Sequence, residues 1–565
     1  GNQMRRRRAI VALIGTTVSL MMCMPTGAFA QDAQSNDDDI HTSAQLRAEA
    51  AEQNADQERR LLEESTQNES DIVPLAEDSS YPAPWNEGTD TGVKDQPAQV
   101  AGVSSMQDDT VRGVNLTSYQ AMKAARTAKN GYAFKDFDGN NLDDNGMMQL
   151  LKASGINYVL LKVAVDPTDG NGNTYGGGNP TLDNAIATAK AAQANGLNVN
   201  IQFLYSDFYT SKTVQKLPKG WPTNLAKLTS QVSDYTADSL SKLKAAGVTP
   251  NMVTIGSEIS SPYYADSENK KDLQGGFLGQ DDWKGMSQLI SAASKAIRAN
   301  NAGTRIAVGC SSVDQTLTTT YVDMLKYYKV DYDVIGTKVY AAYDDLNSLA
   351  QSRRMISEEY GKSMAVLDVL YPFTEYDSDG QGNTSGASDL KQSGKTLSPQ
   401  GQADYIRSLY KAMVSAKNNA GGAGVFYGDA TWIAVKGGLW NADDNWNSAN
   451  EYGTGWASKY AADYVDYADN GGASQQDDAA LFDDLGQPLQ SLKVFGQLTA
   501  ANPEDADMVP TADGPYKTGA DTGAAQQTAS VEQVPTVTED TIRGADVSSY
   551  EALYKAGVRF KNFDG

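Results

Sequence analysis

Two carboxylates stand at the ends of apolar runs, where a buried strand would deliver a side chain to a reacting molecule. Glu258 lies in MVTIGSEIS, residues 252–260, and Asp368 ends the apolar part of MAVLDVLYPF, residues 364–373. Two acids about 5–5.5 Å apart can cleave a glycosidic bond, because one protonates the leaving oxygen while the other attacks the anomeric carbon. Either acid alone could equally be a turn or cap residue, but two at such positions favour chemistry.

Other side chains that could do chemistry are scarce. The chain has one histidine, His41, in a polar N-terminal stretch, and two cysteines. Cys23 lies in an apolar leader and Cys310 in the apolar run RIAVGCSS, so we expect no internal disulfide and a buried, inert thiol. Catalysis by Ser-His-Asp or Cys-His groups and metal sites built from histidines are therefore excluded from the predicted folded part.

The composition of the chain limits the classes of molecule that it is expected to bind. The chain has 565 residues, of which 40% are hydrophobic and 29 are tyrosine, so it is long for one domain but can bury a large core. The formal net charge is −24 and the pI is near 4.5. Nucleic acids and anionic membranes would be repelled, whereas a neutral polysaccharide or a cationic partner would not.

The N-terminus predicts export. Four arginines at residues 5–8 precede the apolar run AIVALIGTTVSLMMCM and the small-residue stretch AFA, a pattern typical of a secretory signal cleaved after Ala30. The run is short for a membrane-spanning helix, and a retained anchor is the alternative. We expect a secreted, extracellular protein with no other membrane contact, and attachment to the cell surface through a C-terminus beyond this sequence stays open.

Two polar stretches flank the predicted folded region. Residues 31–110 are acidic and rich in Pro, Gln, Ser and Glu, which predicts a largely disordered segment after the signal at residues 1–30. Residues 501–541 have the composition of a linker. Residues 542–565, IRGADVSSYEALYKAGVRFKNFDG, then repeat residues 111–139 apart from a short insertion in the earlier copy. The sequence therefore predicts the start of a second copy of the same domain, as in a tandem protein.

Between the linkers, residues 111–500 alternate apolar runs with helical patterns. The eight candidate strands are RGVNL, INYVLLKVAV, LNVNIQFLY, MVTIGSEI, RIAVGCSS, YDVIGTKVY, MAVLDVLY and AGVFYG. Helical patterns include DNAIATAKAAQANG, YTADSLSKLKAAGV, MSQLISAASKAIRANNAG, ISEEYGKS and QADYIRSLYKAMVSAKNNAGG. This α/β pattern predicts a (β/α)8 TIM barrel. An open doubly wound sheet is the alternative, but no glycine-rich phosphate-binding motif follows the early strands.

The barrel would bring the two acids together. Glu258 ends the fourth predicted strand and Asp368 the seventh, and these strands face each other across the mouth of a closed eight-stranded barrel. Aromatic rings cluster after the third and eighth strands, and flat rings at a barrel mouth suit stacking on sugars. These rings are Tyr205, Phe208, Tyr209, Trp432, Trp440, Trp446 and Trp456, of which about half are expected to be loop packing instead.

A loop after the seventh strand has the pattern of a cation-binding turn. Asp377, Asp379, Gln381 and Asn383 place side-chain oxygens at alternate positions around glycines. Hard cations such as calcium are bound by loops of this kind, but Asp/Gly turns without a metal have the same composition. From these residues both interpretations stay open.

The region resembles glycoside hydrolase family 53, the arabinogalactan endo-β-1,4-galactanases, over residues 111–500. The matching stretches are DPTDGNGNTYGGGNPTLDNAIATAKAA, FLYSDFY, LKAAGVTPNMVTIGSEI, YDVIGTKVY, YPFTEYDSDGQGN, GVFYGDATWI, GTGWASKYAADY and ALFDDLGQPLQSLKVF. The resemblance implies a retaining, endo-acting galactanase with Glu258 as acid/base and Asp368 as nucleophile. It also implies sugar contacts from Lys162, Tyr205, Asp207, Ser257, Tyr340 and Trp432. A structural calcium is implied at Asp377, Asp379, Gln381, Asn383, Ser474 and Asp477.

The chain departs from the family pattern near both acids. The family has Asn where this chain has Ser257, and Glu where it has Asp368. Shortening the nucleophile withdraws its oxygen by about 1.5 Å, and misplacement of about 1 Å can cost on the order of a hundredfold in rate. Two hypotheses follow: a galactanase with a shortened nucleophile, or a first barrel that binds galactan for an active second copy beyond residue 565.

Overall fold

The computed structural model describes residues 98–262, 276–414, 424–435, 442–465, 471–499, 503–505, 531 and 533–562. The chain divides into two units, Gly1–Pro510 and Thr511–Gly565. The predicted signal and most of the predicted acidic segment lie outside the described residues. Within the described residues, none of the helices combines the length and the apolar character needed to cross a membrane.

Eight parallel strands of the first unit close into a barrel, as the sequence predicts. The strands of this unit are β1 Gly102–Val103, β2 Val111–Asn115, β3 Tyr158–Val163, β4 Asn198–Phe203, β5 Met252–Ile255, β6 Arg305–Cys310, β7 Val334–Lys338, β8 Ser363–Asp368, β9 Gly424–Tyr427 and β10 Pro503–Asp505. Strands β2 to β9 pair in chain order, and β9 returns to pair with β2. The fold is therefore a (β/α)8 TIM barrel.

Helices cover the outside of the barrel. Those of the first unit are α1 Tyr119–Asn130, α2 Asp144–Ala153, α3 Leu182–Ala194, α4 Leu225–Ala245, α5 Trp283–Asn300, α6 Gln315–Tyr327, α7 Leu346–Tyr360, α8 Ala387–Gln392, α9 Pro399–Met413, α10 Ala442–Tyr452 and α11 Val494–Gln497. Capping fixes many of their starts, because side chains such as Thr181 and Asn224 accept hydrogen bonds from first-turn N–H groups.

Side chains alternate along each strand between a core outside the barrel, shared with the helices, and a core inside it. In β3, Val159 and Leu161 pack outward in the cluster shared with the helices, whereas Tyr158 and Leu160 point into the barrel. The inner cluster lies at the base of the barrel, and farther along β3 the same inward face presents Lys162. The interior thus changes from apolar at the base to polar at the mouth.

The segments that precede and follow the barrel pair with each other at its base. Strands β1 and β10 pair in parallel, and the Arg407 side chain donates hydrogen bonds to the Ala101 and Gly102 carbonyls. Arg112 at the start of β2 donates to the Gly155 carbonyl and to the Thr110 carbonyl. The ordered unit therefore begins before residue 111, the predicted boundary, and extends past residue 500, because β1 and β10 complete each other.

The second unit contains the repeated sequence. Its helix α12 Tyr550–Lys555 corresponds to the start of α1 in the first copy. Tyr119 is buried in the barrel, whereas its counterpart Tyr550 is 46% exposed, and Ile542, the counterpart of buried Val111, is 93% exposed. Among the described residues of the second unit, these apolar side chains are therefore exposed.

Candidate active site

A cleft of about 930 Å³ opens at the carboxyl ends of the barrel strands. Both Glu258 and Asp368 line it, together with Lys162 and Lys338. The fourth and seventh barrel strands thus deliver their acids to one cavity. This position, at the strand ends followed by the βα loops, is where barrel enzymes hold their reacting groups.

A β-bulge aims Asp368 into the cleft. The pairing of β7 with β8 runs from Thr337 with Val366 to Lys338 with Asp368, so that Leu367 is skipped. Leu367 belongs to the inner core cluster, and strict alternation would have turned the next side chain outward. The extra residue of the bulge restores an inward direction for Asp368.

A lysine holds Asp368 in its ionised form. Lys162 on β3 places Nζ 3.0 Å from Asp368 Oδ2, and its side chain is 7% exposed. Burial acts to raise the pKa of Asp368, but the charges of Lys162 and Lys338 and the hydrogen bond from Lys162 outweigh it. The pKa of Asp368 therefore lies below its ordinary value, and the carboxylate is available as a nucleophile at neutral pH.

Glu258 sits in a strained turn directly after β5. Its φ is +57°, a left-handed conformation that a residue with a Cβ adopts at a cost of order 1–3 kcal/mol. The preceding residues are anchored, since Gln202 Nε2 donates to the Gly256 carbonyl at 3.0 Å and Gln215 Nε2 to the Ser257 carbonyl at 2.9 Å. The surrounding side chains thus fix the backbone that presents this acid.

A second lysine faces Glu258. Lys338 Nζ lies 3.8 Å from Glu258 Oε2 and 4.6 Å from the centroid of the Tyr340 ring. Burial acts to lower the pKa of Lys338, but Glu258, Tyr340 and Asp368 raise it well above its ordinary value. Lys338 is therefore a permanent cation in the cleft.

The sequence predictions did not single out Lys338. The signal that could have found it is the alternation within β7, where Val334, Gly336 and Lys338 share the inward face. A polar residue on that face near the strand end must open into the mouth.

Four of the predicted sugar-contacting residues line the cleft: Lys162, Ser257, Tyr340 and Trp432. Trp432 packs among other rings, with its centroid 6.5 Å from that of Tyr209 and 6.1 Å from that of Trp456. Its Nε1 donates a hydrogen bond to the Thr454 carbonyl. Phe208, Tyr209, Trp432 and Trp456 thus form an aromatic wall of the cleft, in which Phe208 and Trp432 are almost fully buried. Tyr209 and Trp456 are half-buried, and their exposed faces suit the apolar face of a pyranose ring.

Two other predicted contact residues lie elsewhere. Tyr205 is 1% exposed, donates or accepts a 2.7 Å hydrogen bond with Thr236 and packs on Phe277, because it belongs to the core outside the barrel. Asp207 is equally buried and is paired with Lys219 at 2.9 Å. Neither side chain lines the cleft.

The remaining predicted aromatics do not join the wall. Trp446 packs against Gly472 and is outside the lining of the cleft, whereas Trp440 lies outside the described residues.

A third carboxylate, Asp429, lies at the end of the last barrel strand and lines the cleft. Ser118 holds it, since its N–H and its hydroxyl both donate to Asp429 at 2.8 Å. Its carboxylate therefore ties the last strand to the start of α1.

A separate acid cluster lies in the loop after β8. Asp377, Asp379 and Asp477 have ligand oxygens within 4.8 Å of one another. Burial and the charges of neighbouring carboxylates raise the pKa of Asp379 well above its ordinary value and that of Asp477 to about 7. Three acids that repel one another at this distance fit a bound cation.

The other predicted metal ligands surround this cluster. Ser474 donates its N–H to Asp379 Oδ2 at 3.0 Å, and Gln381 donates its N–H to Asp379 Oδ1 at 3.1 Å. Asp477 Oδ1 and Asn383 Oδ1 are buried oxygens without a hydrogen-bond donor. Buried acceptors of this kind are rare in proteins and suit coordination to a hard cation.

A family model and the curated relatives of the chain indicate the same protein family. Residues 111–495 match the family model for glycosyl hydrolase family 53. The chain is 35% identical over 406 residues to an endo-beta-1,4-galactanase of Bacillus subtilis, covering 70% of this chain and 87% of that protein. It is 28% identical over 335 residues to an arabinogalactan endo-beta-1,4-galactanase of Thermothelomyces thermophilus, covering 57% and 90%.

A solved structure agrees with these relatives. The catalytic domain of a family 53 protein from Ignisphaera aggregans matches with a TM-score of 0.59 and 28% sequence identity, and the match covers 72% of this chain and 100% of that one.

Proposed function

The chain belongs to glycosyl hydrolase family 53, and we propose that its barrel cleaves β-1,4-linked galactan, as in arabinogalactan side chains, at internal bonds with retention of configuration. The observation that carries the proposal is the pair of acids, Glu258 and Asp368, lining one cleft from the fourth and seventh barrel strands. The galactanase names of the relatives support the choice of polymer.

In the first step, Asp368 acts as the nucleophile. Its carboxylate forms a bond to the anomeric carbon as the bond from that carbon to the leaving oxygen breaks, and Glu258 gives its proton to the leaving oxygen. Lys162 supports this role because its ammonium, 3.0 Å from Asp368 Oδ2, orients the carboxylate and keeps it charged.

In the second step, water replaces Asp368. Glu258, now a carboxylate, accepts a proton from the water as its oxygen bonds to the anomeric carbon and the ester to Asp368 breaks. Two inversions give net retention. The aromatic wall would hold the sugar rings against the acids during both steps.

The test is turnover of linear β-1,4-galactan by the full chain. Reducing ends released as oligosaccharides support an endo-acting enzyme, and proton NMR of the first product should show the β-anomer. Products limited to free galactose, or an α-anomer first, would contradict the endo-acting or the retaining part of the proposal.

A calcium ion in the acid cluster is part of the proposal. Asp377, Asp379 and Asp477 would hold it, and the unpartnered oxygens of Asp477 and Asn383 support the fit. Calcium would supply charge neutralisation that fixes the loop after β8, and through it the backbone that follows Asp368. Gln381 and Ser474 complete the predicted ligand set.

Export is also part of the proposal. Residues 1–30 carry the features of a secretory signal, with four arginines, an apolar run and a small-residue cleavage site. Expression of the full chain in a secreting host, followed by mass spectrometry of the N-terminus, tests it. A mature chain beginning at Gln31 in the medium is expected, and an intact leader on a cell-bound protein would contradict it.

A galactan-binding module is the second candidate. The observation in its favour is Lys338, which sets a permanent cation 3.8 Å from the acid that must donate a proton. Calorimetry with galactooligosaccharides separates the candidates when it is combined with turnover. Binding without turnover favours the module, and absence of both removes both candidates.

A further inference from the structure

The turn that presents Glu258 is left-handed at two of its three residues. Gly256 has a φ of +73° and Glu258 a φ of +57°, so left-handed residues stand on both sides of Ser257. Glycine adopts this conformation freely, but a residue with a Cβ is strained in it. Strain of this kind persists only where the surrounding structure holds the residue, so the groups that hold Glu258 bear on what it can reach.

Two buried glutamine amides hold the carbonyls inside this turn. Gln202 Nε2 donates to the Gly256 carbonyl at 3.0 Å, and Gln215 Nε2 donates to the Ser257 carbonyl at 2.9 Å. Thr210 Oγ1 donates to the Ser257 carbonyl as well, but at 3.3 Å. Hydrogen bonds shielded from water are electrostatically stronger than exposed ones, so these amides resist rotation of the carbonyls that they hold.

The Ser257 carbonyl sets the direction of Glu258. This carbonyl and the N–H of Glu258 belong to one planar peptide unit, so the orientation of that unit determines φ of Glu258. Rotation of the unit would return φ of Glu258 to the negative values that residues with a Cβ prefer. The side chain would then leave its present direction into the cleft.

The amide of Gln215 also joins this turn to the loop after β4. Its Nε2 donates to the Ser211 carbonyl at 2.8 Å, and Ser211 pairs with Val214 through two hydrogen bonds of 3.1 Å. Ser211 and Val214 line the cleft, as does Tyr209 of the aromatic wall. Gln215 therefore braces the turn of the acid against a loop that faces the cleft.

We propose that Gln202 and Gln215 are positioning residues for acid/base catalysis, because they keep Glu258 in the left-handed conformation from which it reaches the leaving oxygen of galactan. This role rests on the proposed function. As the glycosidic bond breaks, the leaving oxygen takes its electron pair and receives the proton of Glu258, so a displaced Glu258 slows this step. Neither glutamine lines the cleft, and both act through the backbone of the turn.

The experiment compares two substrates in the unchanged full chain and three variants. β-1,4-Galactan needs a proton on its leaving oxygen, whereas 2,4-dinitrophenyl β-galactobioside releases a stable phenolate without one. Q215M removes the amide at nearly constant size and E258Q removes the acid. Q288M is the control, since it removes one hydrogen bond of an exposed glutamine on α5. The measured quantity is kcat/KM, which compares the free enzyme and substrate with the transition state.

The loss in Q215M should be confined to galactan. Its kcat/KM on galactan is expected to fall about tenfold to a hundredfold, because misplacement of a reacting group by about 1 Å can cost about a hundredfold. On the aryl substrate kcat/KM should stay within about twofold, and Q288M should match the unchanged chain on both substrates. An equal loss on both substrates would show a purely structural role and overturn the inference, and so would an unchanged rate on galactan.

E258Q separates failure of this role from failure of the proposed function. It should lose galactan cleavage and keep kcat/KM on the aryl substrate. If it cleaves galactan like the unchanged chain, or if the unchanged chain cleaves neither substrate, the proposed function fails and the inference with it. If Q215M does not fold, Q202M takes its place, with a loss of about tenfold confined to galactan expected and an equal loss on both substrates, or none, overturning the inference.

Discussion

Two groups of acids lie near the mouth of the barrel, and only one of them has lysine side chains beside it among the described residues. The first group is Glu258 and Asp368, and the second is the cluster of Asp377, Asp379 and Asp477. Glu258 and Asp368 each have a lysine ammonium within 3.8 Å and 3.0 Å. In the part of the chain that the structure describes, no lysine or arginine is recorded in an ion pair with the cluster of Asp377, Asp379 and Asp477. The lysines lower the pKa of Asp368 despite its burial, whereas the pKa of Asp477 rises to about 7.

The difference shows that burial alone does not decide the charge of an acid. Both groups are largely shielded from water, but internal cations keep Asp368 ionised, whereas the cluster of Asp377, Asp379 and Asp477 must take up protons or bind a cation from solution. The first arrangement suits a nucleophile, which must be charged without help. The second suits a metal site, whose ligands become charged when the ion arrives.

Neutralising an acid of the first group should have the largest effect. In D368N and E258Q, galactan turnover is expected to fall at least about a thousandfold, because the nucleophile or the proton donor is lost. Initial rates of reducing-end release measure this. D238N, an exposed change on α4, is the control and should leave turnover unchanged. Turnover that survives in D368N would remove Asp368 from the reaction.

Calcium should affect the second group only. Adding millimolar calcium to metal-free protein is expected to raise Tm by several degrees. The free energy of unfolding rises by about 2.7 kcal/mol if free calcium is roughly 100 times its Kd. D477N should abolish the rise, because it removes a charged ligand with a buried oxygen that has no other donor. Scanning calorimetry measures Tm, and D238N is again the control. An equal rise in D477N would contradict a site in this cluster.

Lengthening the nucleophile tests the geometry of the first group. D368E should raise galactan turnover by about tenfold, since the carboxylate advances about 1.5 Å toward the sugar and misplacement of about 1 Å can cost about a hundredfold. Rates on galactan and the anomer of the first product measure this. A lower rate would show that the bulge at Leu367 and the bond to Lys162 already place the shorter acid correctly.

Removing the cation of Asp368 should have the smallest effect on rate and a clear effect on pH dependence. In K162M the pKa of Asp368 should rise, because the charge that lowers it is lost, so the acid limb of kcat/KM moves to higher pH. The depressed pKa of Asp368 also stabilises the fold above its unfolded pKa, and this contribution is lost as pH falls through the folded pKa. K162M should therefore lose stability at neutral pH and little at low pH.

The pH profile and denaturant unfolding at two pH values check this pair of effects. K242M serves as the control, since its lysine is exposed on α4. An acid limb that stays in place in K162M would mean that Lys162 does not set the charge of Asp368.

The barrel was predictable because its strands are nearly continuous apolar runs. Each of the eight predicted runs overlaps one barrel strand. Asp368 ends its strand as predicted, whereas Glu258 lies in the turn that follows its strand. Helix α6 was missed, since Thr316, Thr318, Thr319 and Thr320 give it low helix propensity, and tertiary packing of Leu317 and Tyr321 compensates. Helices α4 and α7 begin about ten residues before the predicted patterns, and their first turns pack through Leu228 and Leu349.

Side-chain directions were less predictable than strand positions. Tyr205 follows the third barrel strand, but its φ of +50° belongs to a local turn, and its ring joins the outer core. Periodicity cannot reveal such a turn at a residue other than glycine. The inward direction of Asp368 depends on a bulge, which apolar patterning does not specify either. Lys338, in contrast, could have been found from the alternation of β7.

The clasp of β1 and β10 has a mechanical consequence for a protein held at both sides of its barrel. Tension would pull β1 from its amino end and β10 from its carboxyl end, and because the two strands run in parallel their hydrogen bonds would be loaded in shear and break together. The load would be borne at the base, on the far side from the cleft. Tension on the polypeptide would therefore load the strands at the base before it distorted the acids of the cleft.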